Sequence, residues 1–194
     1  MMYRTRLCSA ILLASAGFAA LGGSTAEARV FITREQALQR TLGDHAEFRR
    51  ESIFPTSEQV ARARTLAGKG VEIREAPLTR YTAWTEGRLL GTAYLDTHLV
   101  RTLPQTVLVF VEPSGELRTI EILSFGEPEE YLPRDNWLRQ FDGRNLDDGL
   151  AIGGKIHSMT GATLSAHAVT DAARRALAMH QILATGDPAG ETEP

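Results

Sequence analysis

The nine residues His157-Ser158-Met159-Thr160-Gly161-Ala162-Thr163-Leu164-Ser165 bring four hydroxyl side chains and one glycine to the threshold of a long helical pattern. The first turn of an α-helix has backbone N–H groups without intrahelical partners and the positive end of the helix dipole, a combination that suits a phosphate. Gly161 lets the backbone approach such a group in a conformation costly for other residues, and Ala162 keeps the space open. Thr163 offers a hydroxyl that can be esterified. Ser158, Thr160 and Ser165 supply further hydroxyls, and the amides from Ala162 to Ser165 can hold phosphate oxygens. The same run also reads as an ordinary helix start, with Ser158 or Thr160 as N-cap.

Other chemistries have weaker support. No Gly-x-Ser-x-Gly elbow activates a serine. The histidines His45, His98, His157, His167 and His180 are not spaced as ligands on one element; His167 and His180 stand too far apart on the last helix to face one ion. Asp147-Asp148 reads as a turn rather than a catalytic pair. Arg174-Arg175 reads as a solvated helix face, or as a contact for an acidic partner. Trp84 and Tyr94 fall on strand patterns and are expected in the core. Tyr131 and Trp137 are either core residues or aromatic surfaces for a planar ligand.

The elements that must position the hydroxyl run follow from capping, periodicity and turns. Thr33 and Gln36 form a capping box for a short helix ended by Gly43. Glu47 to Phe54 reads as a strand, and a second helix runs from Glu58 to about Ala67. Val71 to Arg74, Tyr81 to Thr85 and Leu89 to Leu95 alternate as strands, the last two joined by a turn at Glu86-Gly87. Thr106 to Val111 is a continuous apolar run, as in a strand buried on both faces. Pro113-Ser114-Gly115 turns it into a strand from Leu117 to Leu123, an antiparallel hairpin. Asp135 to Phe141 is a short helix, and Leu164 to Ile182 has a strong amphipathic period. The order predicts an α+β domain, a mainly antiparallel sheet flanked by helices.

The 194-residue chain is 43% hydrophobic and 23% charged, enough for one globular core. Arg4 and Arg6, an apolar stretch from Cys8 to Leu21 shorter than a membrane span of about 20 residues, and Ala26-Glu27-Ala28 read as a cleaved export signal over residues 1–28. The alternative is an uncleaved N-terminal anchor. Cys8 is the one cysteine, so the mature chain has no disulfide or thiolate chemistry. A net charge of −3 offers no general attraction to nucleic acid. The expected organisation is a helical and strand region over 29–75, a domain over 76–185 and a flexible tail over 186–194.

Thr160-Gly161-Ala162-Thr163, followed by Leu164 and Ser165, resembles the motif of the FMN-binding domain family. That family includes flavin subunits of sodium-pumping quinone reductases, Rnf-type complexes and related exported electron carriers. Leu123-Ser124-Phe125-Gly126-Glu127-Pro128 resembles the acidic residue and turn that the family carries after a strand pair. The resemblance covers roughly Glu86 to Leu183. It implies FMN as cofactor, joined to Thr163 by a phosphoester bond that an FAD-dependent flavin transferase installs. It further implies Thr160, Gly161, Ala162, Ser158, Ser165 and Glu127 as cofactor-site residues; Glu127 also reads as a solvated loop acid. A periplasmic electron carrier with a membrane or haem redox partner would follow, rather than a stand-alone enzyme, with association with the membrane as a further expectation. The chain departs from the family pattern in one place: the Asp six residues before the acceptor threonine, part of what the transferase recognises, is His157 here. Two other readings stay open: FMN held reversibly in an oxidoreductase, and a flavin-free binding module on the same fold.

Overall fold

The computed structural model describes residues 28–43 and 45–186. Apart from Ala28 and Gly186, the expected export signal and tail lie outside these residues, as does Cys8. Within them, six strands form one sheet in the order β1-β6-β5-β4-β3-β2, with antiparallel neighbours throughout. They are β1 (Arg29–Val30), β2 (Glu47–Ile53), β3 (Leu78–Thr85), β4 (Arg88–Leu99), β5 (Pro104–Val111) and β6 (Leu117–Phe125). The helices are α1 (Arg34–Leu42), α2 (Ser57–Ala67), α3 (Asp135–Leu138) and α4 (Thr163–Gly186). The protein is thus an α+β fold, and β1 and β2 from the N-terminal region belong to the same sheet as the hairpins that follow.

The central strand β5 explains the two-layered core. Successive strand side chains point to opposite faces. Val107, Val109 and Val111 pack with Tyr94, Ile120 and the apolar face of α4. Leu108 and Phe110 pack on the other face with Ala37 and Leu38 of α1. All five β5 residues are buried, as the continuous apolar run requires. Both α1 and α2 begin with complete capping boxes, Thr33 with Gln36 and Thr56 with Gln59.

Two local expectations are corrected. Val71 to Arg74 is not a strand. Its alternation is real, with Val71 and Ile73 buried and Glu72 and Arg74 exposed, but β2 already occupies the edge beside β3. The segment lies across the face of the sheet instead, and the guanidinium Nε of Arg64 donates to the Ile73 carbonyl (2.8 Å). In turn, β4 runs to Leu99 rather than Leu95, because Asp96, Thr97 and His98 remain in register with Val107, Thr106 and Gln105.

Gly91 permits the close approach of β4 and β5. It sits at φ +145, and a Cβ there would lie 2.4 Å from the Val111 carbonyl oxygen and 2.8 Å from the Phe110 ring. Gly91→Ala is expected to destabilise the domain by about 2–3 kcal/mol through backbone strain and core displacement. Urea unfolding should show the loss as a lower midpoint, and an unchanged midpoint would contradict this account.

Candidate functional site

Thr163 is the first residue of α4, a helix of 24 residues. Ala162 occupies the cap position, since its carbonyl accepts the first intrahelical bond from the Ala166 N–H (3.1 Å). Alanine has no side-chain acceptor, so among the described residues no side chain receives the amides of Thr163, Leu164 and Ser165. Ser158 and Thr160 do not cap the helix. The contrast with the capping boxes of α1 and α2 leaves the first turn of the longest helix with its donors free.

The hydroxyl run separates into exposed and buried positions. Ser158, Thr160, Gly161 and Thr163 are exposed, whereas Ala162 and Ser165 are buried. Gly161 adopts φ +79, a left-handed turn that glycine takes without strain, and open space lies where a Cβ would stand. Thr163 therefore presents its hydroxyl to solvent beside free amides. Ser165 faces the core and offers the site its amide.

Helix α3 and the turn that follows it, residues 139–141, hold the approach to this turn. The indole N–H of Trp137 donates to the His157 carbonyl, and the His157 N–H donates to Oε1 of Gln140, both at 2.8 Å. Trp137 also packs edge-on against Phe141. This fixes the backbone of His157 and leaves its imidazole exposed. Trp137 is half-buried against the main core, as is Tyr131.

Glu127 lies just beyond β6 and acts on the β4–β5 loop. Its Oε1 accepts from the backbone N–H groups of Arg101, Thr102 and Leu103 at 3.2, 2.8 and 2.9 Å. The Thr102 bond, foremost, holds the Glu127 carboxyl below the usual carboxylate range, with the Leu103 and Arg101 bonds adding to it against partial burial. Helix α4 runs antiparallel to β4: His180 meets Tyr94 and Arg175 meets Asp96. The start of α4 and the loop gathered by Glu127 consequently occupy the same end of the sheet.

A cleft of about 640 Å³ runs along α4 from this end. Ala168, Asp171, Arg175 and Met179 form its helical wall. Asp96, His98 and Leu99 of β4 face them, and the 70–78 segment closes the far side. Arg175 grips Asp96 with two bonds, from Nε (2.8 Å) and Nη2 (2.9 Å). His98 Nδ1 lies 2.7 Å from the same carboxylate, and its Nε2 lies 3.2 Å from Oε1 of Gln105. Burial works to raise the Asp96 carboxyl, but the His98 and Arg175 bonds and the Arg175 charge outweigh it and hold it far below the usual range. Burial raises the Asp171 carboxyl nearby, against the opposing charge of Arg175.

This polar group was missed in the sequence. Asp96 and His98, two apart on one strand, share a face, and an Asp-x-His pair within a strand pattern was the available signal. Arg174-Arg175 is not a solvated face. Arg174 is buried and donates to the carbonyls of Ala67 (2.6 Å), Asp147 (2.9 Å) and Leu150 (2.7 Å), while Arg175 is committed to Asp96.

Residues 103–178 match the FMN-binding domain family. The chain is an FMN-binding protein. FMN is the cofactor that this domain indicates, and the free amides and exposed hydroxyls at the start of α4 suit its phosphate. The matched segment runs from the loop held by Glu127 through β5, β6 and α3 into α4, and so contains Thr163. No curated protein and no solved structure matches the chain.

Removing the Glu127 carboxylate should loosen the loop it gathers. Glu127→Ala is expected to cost about 1 kcal/mol, since these bonds are partly open to solvent. It should also raise hydrogen exchange at the Arg101, Thr102 and Leu103 amides. A carboxyl depressed in the fold contributes stability that is full above its unfolded value of about 4.3 and is lost as pH falls through the folded value. The parent loop should therefore stay protected near pH 5 and open in stronger acid. Equal exchange in parent and variant would remove Glu127 from this role.

Proposed function

We propose that this protein is an exported electron carrier holding FMN covalently on Thr163. The supporting observation is the exposed Thr163 hydroxyl, set on the first turn of a 24-residue helix whose leading amides have no side-chain cap. The Thr163 oxygen would form an ester to the FMN phosphorus of FAD. The pyrophosphate bond breaks, AMP leaves, and the hydroxyl proton is released to the transferase or solvent. No oxidation accompanies the transfer. The amides of Thr163, Leu164 and Ser165 would then face the remaining phosphate oxygens, and Gly161 leaves room for them.

Bound FMN supplies one- and two-electron chemistry; the chain supplies attachment, orientation and electrostatic environment. Export to the periplasm is proposed from the basic start, apolar stretch and Ala26-Glu27-Ala28 of the sequence. No described helix is long and apolar enough to cross a membrane. A redox partner in or at the membrane, or a haem protein, would exchange electrons with the flavin. One observation favours a second reading, reversible FMN binding: His157 stands at the position where the family pattern places Asp.

The denatured intact mass separates the two. The mature chain made with a flavin transferase is expected to gain the mass of FMN less water, on the peptide containing Thr163. Thr163→Ala should abolish that gain while changing stability by only about 0.5 kcal/mol, as at other exposed positions. An unmodified parent that releases FMN on denaturation would establish the reversible reading, and a modified Thr163→Ala chain would place the attachment elsewhere.

A further inference from the structure

We propose that Trp137 and Gln140 are positioning residues for flavin attachment: they hold residues 157–161 as a preformed, outward-facing strap that the flavin transferase binds through its backbone. This role rests on Thr163 as the acceptor, as proposed above. The bonds made and broken are unchanged by it. The Thr163 oxygen bonds to the FMN phosphorus of FAD, AMP leaves, and the hydroxyl proton passes to the transferase or solvent.

The strap hangs between two buried points. Ile156 is fully buried before it, and Ala162 is only 4% exposed after it. Between them His157, Ser158, Thr160 and Gly161 are exposed, and Met159 is half-buried. A turn shapes the segment: the Ala162 N–H donates to the Met159 carbonyl (3.2 Å). Gly161 is the third residue of that turn, and its φ of +79 is the value a type II turn requires there. Among the described residues, the N–H groups of Ser158, Met159, Thr160 and Gly161 have no partner. They form a row of free donors leading to Thr163.

The clamp acts on one residue from both sides. Trp137 donates its indole N–H to the His157 carbonyl, and Gln140 accepts the His157 N–H on Oε1. The clamp is itself braced. Gln140 Nε2 donates to the Trp137 carbonyl (3.0 Å), and Arg144 Nε donates to the Gln140 carbonyl (3.0 Å). The Trp137 ring packs edge-on against Phe141, which is fully buried. Two side chains thus bond the backbone of an exposed residue that belongs to no helix or strand. Their effect is to fix the direction in which the chain leaves Ile156, and with it the place of the free donors. An enzyme that seizes a loose segment must first remove its backbone freedom, whereas a segment already ordered escapes that cost. The clamp makes no bond to Thr163, so the gain belongs to binding of the strap and not to the transfer step.

The test follows the mass gain of the mature protein with a flavin transferase and FAD, at several concentrations of the protein. Trp137→Phe removes the N–H and keeps a ring against Phe141. Gln140→Met removes the acceptor and keeps the length of the side chain. Each is expected to raise KM about fivefold, the effect of one hydrogen bond, with kcat within about twofold of the parent. Gln140→Glu keeps an oxygen for the His157 N–H and should recover part of the loss. Hydrogen exchange at the His157 amide should quicken in Gln140→Met before any transferase is added. Gly91→Ala, which weakens the domain elsewhere, should keep the parental KM; a merely stabilising clamp would move all of these variants alike. A parent that gains no mass overturns attachment at Thr163, and this role with it. A modified parent whose KM is shared by Trp137→Phe and Gln140→Met overturns the clamp alone, as does a loss confined to kcat.

Discussion

Two adjacent guanidinium groups fix the rotation of α4, and the presentation of the hydroxyl run depends on that rotation. Arg174 reaches one way, to carbonyls at the end of α2 and in the 147–150 loop. Arg175 reaches another, to a carboxylate on β4. Neither can be left buried without its partners, because an uncompensated charge away from water costs several kcal/mol. The helix is thereby keyed to both neighbours at once. With its azimuth set, Ser165 and Ala166 turn inward and Thr163 turns outward.

The start of α4 is held from a second direction by α3 and the turn after it, through the bonds at His157. The approach is thus anchored at its backbone while the side chains beyond it remain free. Glu127 gathers three amides onto one carboxylate oxygen and gives the β4–β5 loop a defined shape. This end of the sheet is built from a helix start, a pinned approach and an organised loop, all on a rigid support. Such support is what a cofactor site needs in order to hold one geometry.

Much of this was legible in the sequence, and the reasons differ by element. Capping boxes and glycine stops marked α1 and α2 because they are local hydrogen-bond patterns. The apolar run of β5 announced burial on both faces. Val71 to Arg74 misled, since alternation reports one buried side and says nothing about whether a strand edge is available. The hydroxyl–Gly–Ala–Thr run marked the candidate site at the head of α4, but the difference between Thr163 and Ser165 is set by the packing of α4. The cleft was illegible, because Asp96, His98, Gln105 and Arg175 come from three elements whose pairing is tertiary. Arg174-Arg175 looked like surface because a sequence does not display the carbonyls and carboxylate that accept from it.

The segment matched to the family, 103–178, is not the same object as the folding unit. It begins at β5, whose partner on one side is β4, outside the match. Cut at that boundary, β5 would become an open edge with a row of unpaired amides and carbonyls, the geometry that invites strand addition and aggregation. Asp96 would be lost, as would the 70–78 wall of the cleft and the Ala67 carbonyl that steadies Arg174. The recognisable core of the protein is therefore a fragment that borrows its boundaries. Substitutions in residues 29–102, which the family match does not cover, can disturb the packing of α4 as surely as changes within the matched segment.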